Sequence, residues 1–62
     1  MDHLPKEPAM LVSAVNMLLR DEEFDSLPEL CYCFGQDAEA LKAYLARHGF
    51  AWSERQKQFK EQ

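Results

Sequence analysis

No stretch of this chain is long and apolar enough to cross a bilayer. The most apolar one, Ala9 to Leu19, is broken by Ser13 and Asn16 and stops far short of the ~20 residues a spanning helix needs. The opening MDHLPKEP holds acidic residues and two prolines and has no apolar run, so no secretory leader is expected. Cysteine is scarce, with only Cys31 and Cys33. Two positions apart on a helix, their side chains point to nearly opposite sides, which argues against an intrachain disulfide and fits reduced thiols in the cytoplasm. Repeats and low-complexity tracts are missing. Length is missing as well: 62 residues leave no room for a pocket between two domains, a nucleotide fold or a bundle around a cofactor. A domain of this size buries only about 60% of its unfolded surface, so it is marginal alone and would gain from a partner subunit.

Catalytic and metal-binding groupings are equally thin. His3 lies near one end and His48 at a helix C-terminus, neither beside a nucleophile. Ser26 and Ser53 are explained as caps or turn residues, Ser13 sits on a helix, and no carboxylate pair flanks a cleft. Structural zinc needs four convergent ligands with two to four residues between paired cysteines. A C-x-C on a helix splays its sulfurs apart, and Cys31 is wanted in the core. No enzyme activity, metal or cofactor is expected, and Cys33 has no basic neighbour to lower its thiol pKa.

What the chain does have is ordinary globular composition, 47% hydrophobic, with its charge unevenly placed. Residues 1–41 carry 2 basic and 9 acidic side chains, whereas residues 42–62 carry 5 basic and 2 acidic ones. The spacing predicts a mainly α domain of three helices with a helix-turn-helix-like core and a short C-terminal β-hairpin. Helix 1 is expected over about 8–21, begun by Pro8, which is pre-organised at a first helical position, after a poor cap at Glu7. At 100° per residue its apolar side chains fill an arc of about 220°, far wider than the ~100° an edge helix needs. Such a helix either crosses the middle of the domain or keeps a second apolar face for another subunit.

Helix 2, about 27–34, should be capped by Ser26 with Glu29 reciprocating, and should end at Gly35 in a left-handed conformation. Helix 3, about 38–48, starts from Asp37. It packs Leu41, Tyr44, Leu45 and His48 inward and stops at Gly49. Beyond it, Phe50 to Ser53 and Lys57 to Lys60 read as two short strands. The rival is a helix capped by Ser53 with Gln56 at the reciprocal position. The single domain therefore runs through 1–62, with the hairpin over about 50–60.

Leu4-Pro5-Lys6, Pro8, Met10-Leu11, Val15-Asn16, Leu19-Arg20-Asp21, Ser26-Leu27, Glu29-Leu30-Cys31, Leu41, Leu45, Gly49-Phe50, Trp52 and Gln58-Phe59 together resemble a family of small bacterial proteins, the domain of unknown function 4250. The resemblance implies no activity, ligand or catalytic residue. The chain departs from the family pattern at Glu7, where Asp is usual, and at Lys57, where Asn is usual.

Two functional expectations follow. The first is a non-enzymatic interaction module, a homodimer or the partner of another protein, using Met10, Val12, Met17 and Leu19 of helix 1. The alternative is weak or non-specific nucleic-acid binding by a miniature winged helix, with Lys42 and Arg47 of helix 3 and Arg55, Lys57 and Lys60 of the wing gripping phosphates. Asn16, at the border of the apolar arc, is expected to bond a loop carbonyl near Gly35 or near Leu4-Pro5-Lys6.

Overall fold

A computed structural model of the chain describes residues 3–62. Three helices precede a two-stranded antiparallel hairpin: α1 (Pro8–Arg20), α2 (Leu27–Cys33), α3 (Ala38–Arg47), β1 (Phe50–Ser53) and β2 (Gln58–Glu61). This is the order the sequence predicts, and the two strands displace the rival helix over residues 53–60. Ser53 Oγ does accept the Gln56 N–H at 3.4 Å, the bond that would start such a helix. Here it closes the hairpin loop instead, and Lys57 leaves the loop at φ 54°, turning the chain back into β2. A left-handed residue suits Asn better than Lys.

Each helix starts on a side-chain acceptor. Ser26 Oγ takes the Glu29 N–H at 3.3 Å, and Asp37 Oδ1 takes the Glu39 N–H at 3.2 Å. Glu29 reaches back to the Asp25 N–H at 3.5 Å, one residue before the expected one. Glu7 corrects the expectation of a poor cap. Its carboxylate curls over the first turn and accepts from Ala9 at 3.2 Å and Met10 at 3.0 Å, one oxygen for each N–H. A longer side chain thus does here what Asp or Ser does elsewhere.

The helix ends are alike in geometry and unlike in residue. α2 ends with Gly35 at φ 69°, and the Gln36 N–H returns to the Cys31 carbonyl at 2.7 Å. α1 ends in the same closure, the Glu23 N–H returning to the Leu18 carbonyl at 3.0 Å, but its left-handed residue is Glu22, φ 60°. Glycine adopts that region freely, whereas a residue with a Cβ is strained in it.

The core consists of Leu4, Leu11, Val12, Val15, Leu19, Leu27, Leu30, Cys31, Leu41, Leu45 and Phe59. No polar or charged side chain among the described residues is buried. Cys31 is 1% exposed and lies in the core, as expected. His48 departs from expectation: it is exposed, covering Tyr44 with ring centroids 4.8 Å apart. The Tyr44 hydroxyl donates to the Lys6 carbonyl at 2.9 Å and pins the segment that buries Leu4.

On α1, Leu11, Val12, Ala14, Val15 and Leu19 are buried, a span of about 160° at 100° per residue. The wide apolar arc is explained largely inside the chain. α1 crosses the domain, with β2 packed along it.

Candidate functional site

Asn16 joins the helices to the hairpin. Its Nδ2 donates to the Phe59 carbonyl at 3.0 Å, and its Oδ1 accepts the Phe59 N–H at 2.8 Å. A primary amide matches both groups of one peptide unit, so Asn16 occupies the place of a third strand beside β2. Gln58 adds a bond from Nε2 to the Asn16 carbonyl at 3.2 Å. The sequence singled out Asn16 for a structural bond but placed its partner near Gly35 or Leu4-Pro5-Lys6. The actual partner is 43 residues away, a separation no local pattern encodes.

This clamp fixes which way the strands face. Phe59 spends both main-chain groups on Asn16, so Trp52↔Phe59 is a non-hydrogen-bonded pair of the ladder. The Gln62 N–H to the Gly49 carbonyl, 2.8 Å, sets the same alternation at the other end. Ala51 and Ser53 therefore bond to β2, and Phe50 and Trp52 direct their N–H and C=O groups to the opposite side. Among the described residues nothing meets those groups. Side chains alternate the other way. Phe50 and Trp52 pack against the core, and Trp52 stands edge-on to Phe59 with centroids 4.9 Å apart.

The expected protein interface divides in two. Met10 and Met17 are exposed, at 61% and 42%, whereas Val12 and Leu19 belong to the core and are unavailable to a partner. The exposed strip of α1 is thus Met10, Ser13, Met17 and Arg20, with Arg20 held 3.6 Å from Asp21. Among the described residues, Tyr32 of α2 is the other large apolar side chain in the open.

The five basic residues do not stand free as a group. Lys42 lies 3.4 Å from Glu39, one turn back on α3. Lys57 donates to the Asp25 carbonyl at 3.1 Å, which seats it on the acidic loop between α1 and α2. Arg47, Arg55 and Lys60 are exposed, at the end of α3, in the hairpin loop and on β2 respectively.

A cleft of about 590 Å³ opens between the segment around Leu4 and α3, lined by Leu4, Leu11, Gln36, Leu41 and Tyr44, with His3 and Lys6 at its rim. Its one hydroxyl already serves the Lys6 carbonyl. Among the described residues no three His, Cys, Asp or Glu side chains converge as metal ligands, and no helix is long and apolar enough to cross a membrane. Burial pushes the Cys31 thiol above its ordinary value, with Asp37 adding to the rise and Lys42 opposing it. A thiol so placed is a packing group, while Cys33 is exposed.

The model of the family described as Domain of unknown function (DUF4250) matches residues 5–59. The match begins beside the segment pinned by Tyr44 and ends on the residue clamped by Asn16. No curated protein and no solved structure matches the chain.

Proposed function

From the premise that the chain belongs to the DUF4250 family, we propose that it is a non-enzymatic interaction module that associates with a second copy of itself. The observation that carries this reading is the exposure of Met10 and Met17 on one strip of α1, at 61% and 42%. Flexible thioether side chains adapt to an opposing apolar surface at little cost in geometry. Two half-open methionines cover less than the patches of about 300–600 Å² found on ordinary monomers, so the contact is small and reversible. The total exposed surface of 4384 Å² is close to the roughly 4,100 Å² expected for a folded chain of this mass.

Nucleic-acid binding draws less support. The element order is consistent with a small winged helix, but Lys42 and Lys57 are engaged with an acidic side chain and an acidic loop. Sedimentation equilibrium from micromolar to millimolar concentration tests the main reading. A rising average mass, reduced by Met10→Glu combined with Met17→Glu, is expected for a contact seated on α1. A clean monomer throughout overturns self-association, and salt-dependent binding to mixed duplex or single-stranded probes would favour the alternative.

A further inference from the structure

The cleft between the Leu4 segment and α3 takes no part in the Asn16 clamp or in the exposed strip of α1. At about 590 Å³ it falls within the roughly 300–1,000 Å³ usual for small-molecule sites. Leu4, Leu11, Leu41 and Tyr44 form its walls, and the small side chain of Ala40 keeps it open beside α3. The Tyr44 ring is held from two directions. Its hydroxyl donates to the Lys6 carbonyl at 2.9 Å, and His48 covers it with centroids 4.8 Å apart. That wall is in place before anything binds.

Charge and hydrogen bonding narrow what the cleft can hold. The basic groups in its lining are Lys6 and His3, and among the described residues no carboxylate joins them. This runs against the surroundings, since residues 1–41 carry 9 acidic side chains and only 2 basic ones. Glu7, next in the chain to Lys6, has both carboxylate oxygens engaged on the Ala9 and Met10 N–H groups. Lys6 forms no ion pair among the described residues. Main-chain groups around the cleft are already spent: the Gln36 N–H on the Cys31 carbonyl at 2.7 Å, the Leu41 N–H on the Asp37 carbonyl at 2.9 Å. Pro5, also in the lining, has no N–H to offer. A peptide strand laid there would bury donors and acceptors unmet, which is unfavourable for each of them. An apolar body brings no such groups.

We propose that this cleft binds a small monocarboxylate with an apolar body, packed against Leu11, Leu41 and Tyr44 with its carboxylate at Lys6. The site is separate from the self-association strip, because Met10, Ser13, Met17 and Arg20 do not line it. It therefore adds a binding function that stands or falls apart from that reading.

Octanoate and octylammonium, equal in length and opposite in charge, are the deciding probes, titrated into the whole chain while its amide resonances are followed. Octanoate at millimolar concentration should move the Lys6, Leu41 and Tyr44 amides saturably. Octylammonium should bind about fivefold or more weakly, the effect of exchanging an attraction for a repulsion at an exposed ammonium. The net charge of −4 favours the opposite order, so a preference for the carboxylate belongs to the site. Lys6→Glu, at an exposed residue whose carbonyl still meets Tyr44, should reverse the order of the two probes. Ala40→Phe, at an exposed helix position, should fill the cleft and abolish octanoate binding with the thermal midpoint kept. In the same titration 2-naphthylacetate separates a flat aryl body from an alkyl one, the tighter of the two identifying it. The proposal is overturned if neither carboxylate gives a saturable movement, or if octylammonium binds as tightly as octanoate in the wild type, a comparison that needs no variant to fold. Unchanged octanoate affinity in Ala40→Phe would place the ligand elsewhere and overturn it as well.

Discussion

The α2–α3 corner and the β1–β2 hairpin are both tight reversals, yet they are fastened in opposite ways. The corner is closed by apolar burial: Leu27, Leu30, Cys31, Leu41 and Leu45 lie in the core, and Gly35 supplies the one backbone conformation the turn requires. The hairpin contributes a single buried residue, Phe59, and is held in register by the two hydrogen bonds of Asn16. Apolar burial is non-directional and tolerates small displacements. A bidentate amide does not, since a strand slipped by one residue would offer it groups facing the wrong way. A polar clamp therefore selects one register, while the apolar corner is held by burial.

The most direct way to break that contrast is Leu45→Ala, at a residue with no exposed surface. Truncation of a buried leucine costs about 2–5 kcal/mol. The whole domain holds only roughly 3–9 kcal/mol at the usual stability per residue, so urea unfolding should show the fold largely or entirely lost. Asn16→Ala should cost less, about 1–3 kcal/mol, because it strands the partly buried N–H and C=O of Phe59. Its signature is regional. Amides of Ala51 and Lys60 should lose protection in hydrogen exchange before those of Leu41 and Leu45. Equal loss in both regions would show that the clamp does not act on the hairpin in particular.

Gly35→Ala sharpens the comparison from the other side. An added Cβ would meet no atom within 4 Å, so the cost is conformational alone, about 1–2 kcal/mol for a left-handed alanine. Thermal denaturation should show that loss with the hairpin's relative protection unchanged. The smallest effects should run in the opposite direction. Glu22→Gly places a left-handed-tolerant residue at φ 60° and should raise stability by about 0.5 kcal/mol, read from the midpoint of denaturant unfolding, and Lys57→Asn, which does the same at φ 54°, should raise it by less. At position 57 the gain is offset by loss of the bond to the Asp25 carbonyl.

The corner was legible in the sequence because its determinants are local. Ser26 sits three residues before Glu29, Gly35 follows the last helical turn, Asp37 precedes Ala38, and Leu41 and Leu45 repeat at helical spacing. The hairpin was legible only as a change of period after Gly49, since Ser53 and Gln56 serve a helix start and a hairpin loop by the same hydrogen bond. Val12 and Leu19 read as a surface for a partner because the wide arc of α1 gives no sign that the chain's own β2 returns along it. Glu7 follows the same logic. Residue type made it a weak cap, and only the path of the chain before Pro8 lets its carboxylate reach both free N–H groups.

The chain has one tryptophan, and the fold sets it at the junction that Asn16 secures. The indole of Trp52 stands on Phe59 and donates its N–H to the Glu54 carboxylate. Its emission is consequently a built-in optical gauge of whether the hairpin is seated on the helices. Undocking would carry the ring into water and shift its spectrum to the red, distinguishing a loosened hairpin from a melted domain without any attached label.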